Sequence, residues 1–155
     1  MNKNFSPMWL VAAMCLALSN TNHLQAQNVS QYDVVWDSPS KDAHGSMPLG
    51  NGDISLNAWI EPNGDLQFYI GKTDSWGEHG RLLKVGKLRV RLDPPLPTDS
   101  FVQRLVLIDG VMTVQGGIKN DTVKMKVWVD ANHPVIHIEI GSTITIPQKH
   151  RWLCQ

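Results

Sequence analysis

Apolar and polar side chains alternate along most of the chain from Tyr32 onward. Ile54, Leu56, Ala58 and Ile60 alternate with Asp53, Ser55, Asn57 and Trp59, and Leu66, Phe68 and Ile70 with Asp65, Gln67 and Tyr69. The same period of two runs through Leu88–Leu92, Val123–Val129 and Ile136–Ile140. Successive strand side chains point to opposite faces, so each segment predicts a strand with one core face and one mostly polar face. Turn signals fall between them. Pro62-Asn63-Gly64 follows Ile60, Asp109-Gly110 separates Phe101–Ile108 from Val111–Gln115, and Lys119-Asn120-Asp121 marks another turn. Asn-Gly and Asp-Gly supply the positive φ angles that tight hairpins need. Pro94-Pro95-Leu96-Pro97 cannot be a central strand and predicts a stiff surface connection. No window carries sustained helical spacing. The expected fold is an all-β antiparallel β-sandwich, or part of a larger one.

One stretch breaks the alternation. Gly71–Gly86 is Gly-rich and charged, holds Trp76 and His79, and predicts a long loop. Long loops carried on a rigid sheet are where function concentrates.

The N-terminus follows a different pattern. Lys3 precedes an apolar run from Met8 to Leu18, and a polar stretch follows from Ser19. The run is too short for a permanent membrane helix and has the form of a secretory signal peptide. Residues 1–26 are expected to be removed by a cut after Ala26, giving an exported protein, periplasmic or extracellular, with no membrane segment. Residues 32–147 then form the sandwich domain, and 148–155 are an unassigned tail. The decay of the strand pattern after Ile140 is read as truncation or frameshift of a longer protein.

Composition narrows the function. Fourteen basic residues balance fourteen acidic ones, so the formal net charge is zero and nothing draws in nucleic acid. An apolar share of 42% is enough for one core, which argues against disorder. Cleavage would remove Cys15 and leave only Cys154, so no internal disulfide can form. No cofactor is expected.

Candidate chemistry is sparse. Gly71-Lys72-Thr73 lacks both the upstream glycine and the following helix of a phosphate loop, since Leu66 occupies the glycine position. His133 and His137 lie roughly 13 Å apart on a strand. A zinc ion holds each nitrogen at about 2 Å, so this pair cannot share one, and no metal site is expected. Asp74 and Glu78 fall in one loop and could flank a glycosidic bond at roughly 5–10 Å separation, but no catalytic residue is assigned. Trp59, Tyr69 and Trp128 occupy the polar side of their strands, as a face for docking another layer or for stacking sugars.

Tyr32-Asp33-Val34-Val35-Trp36-Asp37-Ser38-Pro39, then Gly45-Ser46-Met47-Pro48-Leu49-Gly50-Asn51-Gly52-Asp53-Ile54, form a distinctive opening. Phe68-Tyr69-Ile70-Gly71-Lys72-Thr73-Asp74-Ser75-Trp76 leads into Gly80-Arg81-Leu82-Leu83-Lys84-Val85-Gly86. Together these segments resemble the N-terminal domain of a secreted bacterial family, domain-of-unknown-function family 5703. Pro48-Leu49-Gly50-Asn51-Gly52 and Asp74-Ser75-Trp76 also resemble the N-terminal β-sandwich of the family-95 glycoside hydrolases (α-L-fucosidase-like). The resemblance spans about Tyr32 to Glu139. It implies a β-super-sandwich packed on a helical (α/α) barrel that carries the catalytic carboxylates, so none of those transfers to this chain. Asp53 stands where the glycosidase motif has Arg, and Lys72-Thr73-Asp74 replaces its Asn-Glu pair, so the substrate class does not transfer either.

The expected function is the non-catalytic N-terminal portion of an exported glycoside-hydrolase-like protein. It would brace a C-terminal (α/α)-barrel domain, with Asn51, Asp74 and Trp76 as candidate substrate-binding residues at the rim. The alternative is a free-standing carbohydrate-binding module with a glycan as partner. A small hydrolase using Asp74 and Glu78 is a third reading.

Overall fold

The computed structural model describes residues 28–118 and 121–143. The signal-peptide region, Lys119, Asn120, the tail at 148–155, Cys15 and Cys154 lie outside the described residues.

Among the described residues, nine strands form two antiparallel sheets. The four-stranded sheet contains β2 (Met47–Gly50), β3 (Ile54–Ile60), β4 (Leu66–Trp76) and β5 (Leu82–Val90) in that order. The five-stranded sheet runs β1 (Val34–Trp36), β6 (Val102–Val106), β7 (Val111–Ile118), β8 (Asp121–Val129) and β9 (Ile136–Ser142). The chain crosses between the sheets twice, after β1 and after β5, and forms a hairpin meander in each.

The alternation seen in the sequence selects the inner faces. Met47, Leu49, Leu56, Ala58, Ile60, Leu66, Phe68 and Val90 come from one sheet; Leu105, Met112, Val114, Val123, Met125 and Val127 come from the other. Fully burying an aliphatic or Phe side chain contributes on the order of 1.5–3 kcal/mol, which is the force that closes the sandwich. One polar side chain crosses the interior: Gln103 of β6 accepts a hydrogen bond from the Ile60 N–H of β3 at 3.3 Å.

The turns at Pro62-Asn63-Gly64 and Asp109-Gly110 stand where the sequence puts them, while the one expected at Lys119-Asn120-Asp121 has Lys119 and Asn120 outside the described residues. Gly64 and Gly110 take φ of 82° and 63°. At Gly64 the Glu61 N–H donates to the Asp65 carbonyl and the Gly64 N–H to that of Glu61, both at 2.9 Å.

Two expectations need correction. The prolines at 94–97 do more than span the surface, because Leu96 is buried in the core and the Pro97 carbonyl lies against Gly116 of β7. A β-carbon at Gly116 would collide with that carbonyl, so this strand position requires glycine. The second correction is larger. Gly71–Gly86 is a hairpin rather than a loop: β4 continues to Trp76, residues Glu78–Gly80 turn, and β5 begins at Leu82. Thr73 N–H donates to the Asp53 carbonyl and Gly77 N–H to that of Arg81, which keeps the strands tied. Register shifts at Ile70/Gly71 and again before Trp76 erase the period of two there. Bulges re-aim side chains in this way while the ladder continues.

Candidate functional site

Asn51 sits in the turn between β2 and β3. Its side-chain oxygen accepts from the N–H groups of Asp53 (2.9 Å) and Ile54 (3.0 Å). Its Nδ2 donates to the main-chain carbonyls of Asp130 (2.8 Å) and His133 (3.1 Å) in the β8–β9 connection. Both donors and the acceptor are committed, so Asn51 ties the two sheets together at one end of the sandwich. The far side of this tie is itself organised by Asp130. Its carboxylate accepts from the Asn132 and His133 N–H groups, both at 2.9 Å, and meets His133 Nδ1 at 3.0 Å. These contacts, the Asn132 N–H first, hold the Asp130 carboxyl below its ordinary pKa. His137 Nε2 lies 3.7 Å away, and its ring stacks on Trp128 at 4.8 Å between centroids.

Asp74 lies nearby on β4. Lys72 Nζ donates to Asp74 at 2.8 Å and to Asp53 at 3.0 Å. The Lys72 hydrogen bond lowers the Asp74 pKa, and the two carboxylates raise that of Lys72. An ionised, cation-paired Asp74 is the opposite of a general acid, which needs a raised pKa. Glu78 stands apart at the hairpin tip, in an open pocket of about 490 Å³ lined by Gly77, Glu78, His79, Arg81 and Leu83. Asp74 does not line that pocket, and its carboxylate is held by Lys72 instead. Gly71-Lys72-Thr73 lies inside β4 with no helix after it. Among the described residues no group of His, Cys, Asp and Glu is placed to hold a metal ion.

The hairpin formed by the outer halves of β4 and β5 is an arm. Trp76, which pairs with Leu82, is 60% exposed, and Leu82, Leu83 and Val85 are also exposed. The sequence points to Trp76 but not to its three aliphatic neighbours. Their signal was the run Leu82-Leu83 beside Val85, which a loop reading hides.

The three aromatics expected on one face lie on two. Trp59 and Tyr69 occupy the outer face of the four-stranded sheet, whereas Trp128 occupies the outer face of the five-stranded sheet, opposite the core-facing Val127 and Val129. Period two identifies the outward side of a strand but not the sheet it joins. Trp59 also departs from expectation in being only 2% exposed, with Tyr69 tilted against it at 5.4 Å, so it offers no free ring for a sugar. Beside it in register is Gln67, equally buried. Trp59 Nε1 and both amide atoms of Gln67 lack hydrogen-bond partners among the described residues. A buried polar group left unpaired costs about 1–3 kcal/mol, so this row is a place of stored cost on the outer face.

Residues 35–150 match the family model described as Domain of unknown function (DUF5703), in its N-terminal form. No curated protein matches the chain. The family match covers most of the sequence, and the chain belongs to that family.

Proposed function

We propose that this DUF5703 N-terminal domain is the non-catalytic sandwich of an exported glycoside-hydrolase-like protein and docks a helical-barrel domain through its β4–β5 arm. The observation that carries this reading is the arm itself. It holds Trp76, Leu82, Leu83 and Val85 out from a rigid sheet, each between 45% and 60% exposed. Trp76 and Leu82 are register partners on one side of the arm, and Leu83 and Val85 follow on the other; exposed apolar side chains gathered on one projecting element mark it as an interaction site. The ion-paired Asp74 and the structural role of Asn51 support a bracing part rather than a catalytic one. In this arrangement Trp76 and the Glu78 pocket border the site, and the chemistry belongs to the partner domain.

The test joins the chain to the polypeptide encoded downstream of codon 155, in whichever frame yields a helical domain. Hydrogen exchange at 76–85 is then compared with and without the added domain. Protection of the arm, lost in the Trp76→Ala/Leu83→Ser variant, supports docking. Unchanged exchange across 76–85 in a folded two-domain protein overturns it.

A further inference from the structure

The outer face of the four-stranded sheet carries groups that the arm does not use. Tyr69 follows Gln67 on β4, and its register partner on β5 is Lys87. The Lys84 ammonium stands 3.9 Å from the Tyr69 ring centroid. That of Lys87 lies 5.6 Å from Trp59 and 5.7 Å from Tyr69. Both are within cation–π range. The arginines on this face are neutralised: Arg89 lies near Glu61 and Asp65, and Arg91 reaches Asp65 at 3.4 Å. Lys84 and Lys87 pair with no carboxylate among the described residues. Trp59, under Lys87, carries an N–H with no partner among the described residues, and the likewise uncommitted Gln67 amide lies beside it in register.

We propose that this face binds an acidic saccharide, with Lys84 and Lys87 taking its carboxylate or sulfate and the Tyr69 ring taking a sugar face. A solvent-exposed ammonium resting on a ring is held weakly, and a charge-assisted hydrogen bond to an oxyanion is stronger. An anionic group therefore draws both ammoniums off the rings and uncovers Tyr69 and the edge of Trp59. Sugar hydroxyls both donate and accept, which matches an indole N–H beside an amide with both functions free. A simple anion offers acceptors alone, and an apolar partner offers neither. The site goes beyond the docking reading and stands or falls separately from it.

The full chain is titrated with oligogalacturonate, sulfated dextran oligosaccharide, neutral cello-oligosaccharide and polyglutamate, followed by calorimetry and tryptophan emission. Binding is expected for the carboxylated or the sulfated sugar, which of the two identifying the anion, and not for the neutral one. Lys84→Gln/Lys87→Gln and Tyr69→Ala should each weaken it by at least about tenfold, with the melting transition of the lysine variant retained. Three results overturn the proposal: no binding of either acidic sugar, equal binding by the lysine variant, or unchanged binding by Tyr69→Ala. Polyglutamate bound as tightly through the same lysines would also overturn it, in favour of an acidic protein partner.

Discussion

The Asn51 side chain donates to the Asp130 main-chain carbonyl at 2.8 Å, joining positions 79 apart in sequence and bridging the two sheets at one end of the sandwich. The same amide reaches the His133 carbonyl, and its oxygen fixes the turn that carries it. A residue with every polar atom committed this way is a strut. The Gly50-Asn51-Gly52 motif is therefore a structural signature of the sandwich, although its spacing invites a reading as a ligand loop.

Asn51→Ala should cost stability rather than binding. Each hydrogen bond has a net worth of about 0.5–1.5 kcal/mol, and four are lost, so the expected loss is roughly 2–6 kcal/mol. Asn51→Asp keeps the acceptor but faces two carbonyl oxygens without a donor, and should be no better. Urea unfolding reads both. A midpoint unmoved by Asn51→Ala would return the residue to the ligand-binding candidates.

Strand positions and the core-facing residues were legible because a buried face imposes a period of two over several residues, as at Leu56, Ala58 and Ile60. The arm was not. Its bulges insert residues that break the period, so Lys72–Val85 carries the glycine and charge content of a loop while its backbone remains a ladder. Burial of Trp59 was equally hidden. It depends on Tyr69, Gln67 and Lys87 converging from β4 and β5, and register between strands is not written in any one of them. The Lys72 bridge between Asp53 and Asp74 has the same origin, since it joins a turn to a strand 19 residues later.

Acid should loosen the Asn51 end first. The Asp130 carboxyl is held below its ordinary value of 3.8 by the Asn132 N–H and by His133, and Asp74 is held down by Lys72. A depressed folded-state pKa gives stability that is complete above the unfolded value and is lost as pH falls through the lower, folded one. Urea midpoints should thus be flat well above the ordinary carboxyl value of 3.8 and decline as pH falls below it. Asp130→Asn should start lower and decline less steeply. An identical slope in wild type and variant would mean that Asp130 has no part in the acid response.

Trp59 and Trp76 both stand at polar positions in the sequence, Trp59 on the polar side of its strand and Trp76 in a charged stretch, and the structure gives them opposite roles. Trp59 is 2% exposed beneath Tyr69 and Lys87, while Trp76 is 60% exposed on the arm. Truncating a buried Trp to Ala typically costs about 3–5 kcal/mol, a large part of a margin that is only about 5–15 kcal/mol. The unpaired Nε1 of Trp59 disappears with the ring, which offsets part of that loss and puts the expected value near the lower end. Trp59→Phe removes the unpaired N–H but keeps most of the ring, so it should be much milder than Trp59→Ala. Trp76→Ala touches neither core nor outer-face row and should lie within about 0.5 kcal/mol of wild type. Parallel thermal and urea melts of the three variants settle the contrast. A Trp76→Ala loss as large as that of Trp59→Ala would mean that the arm packs against its own chain, and the docking role assigned to it would fall.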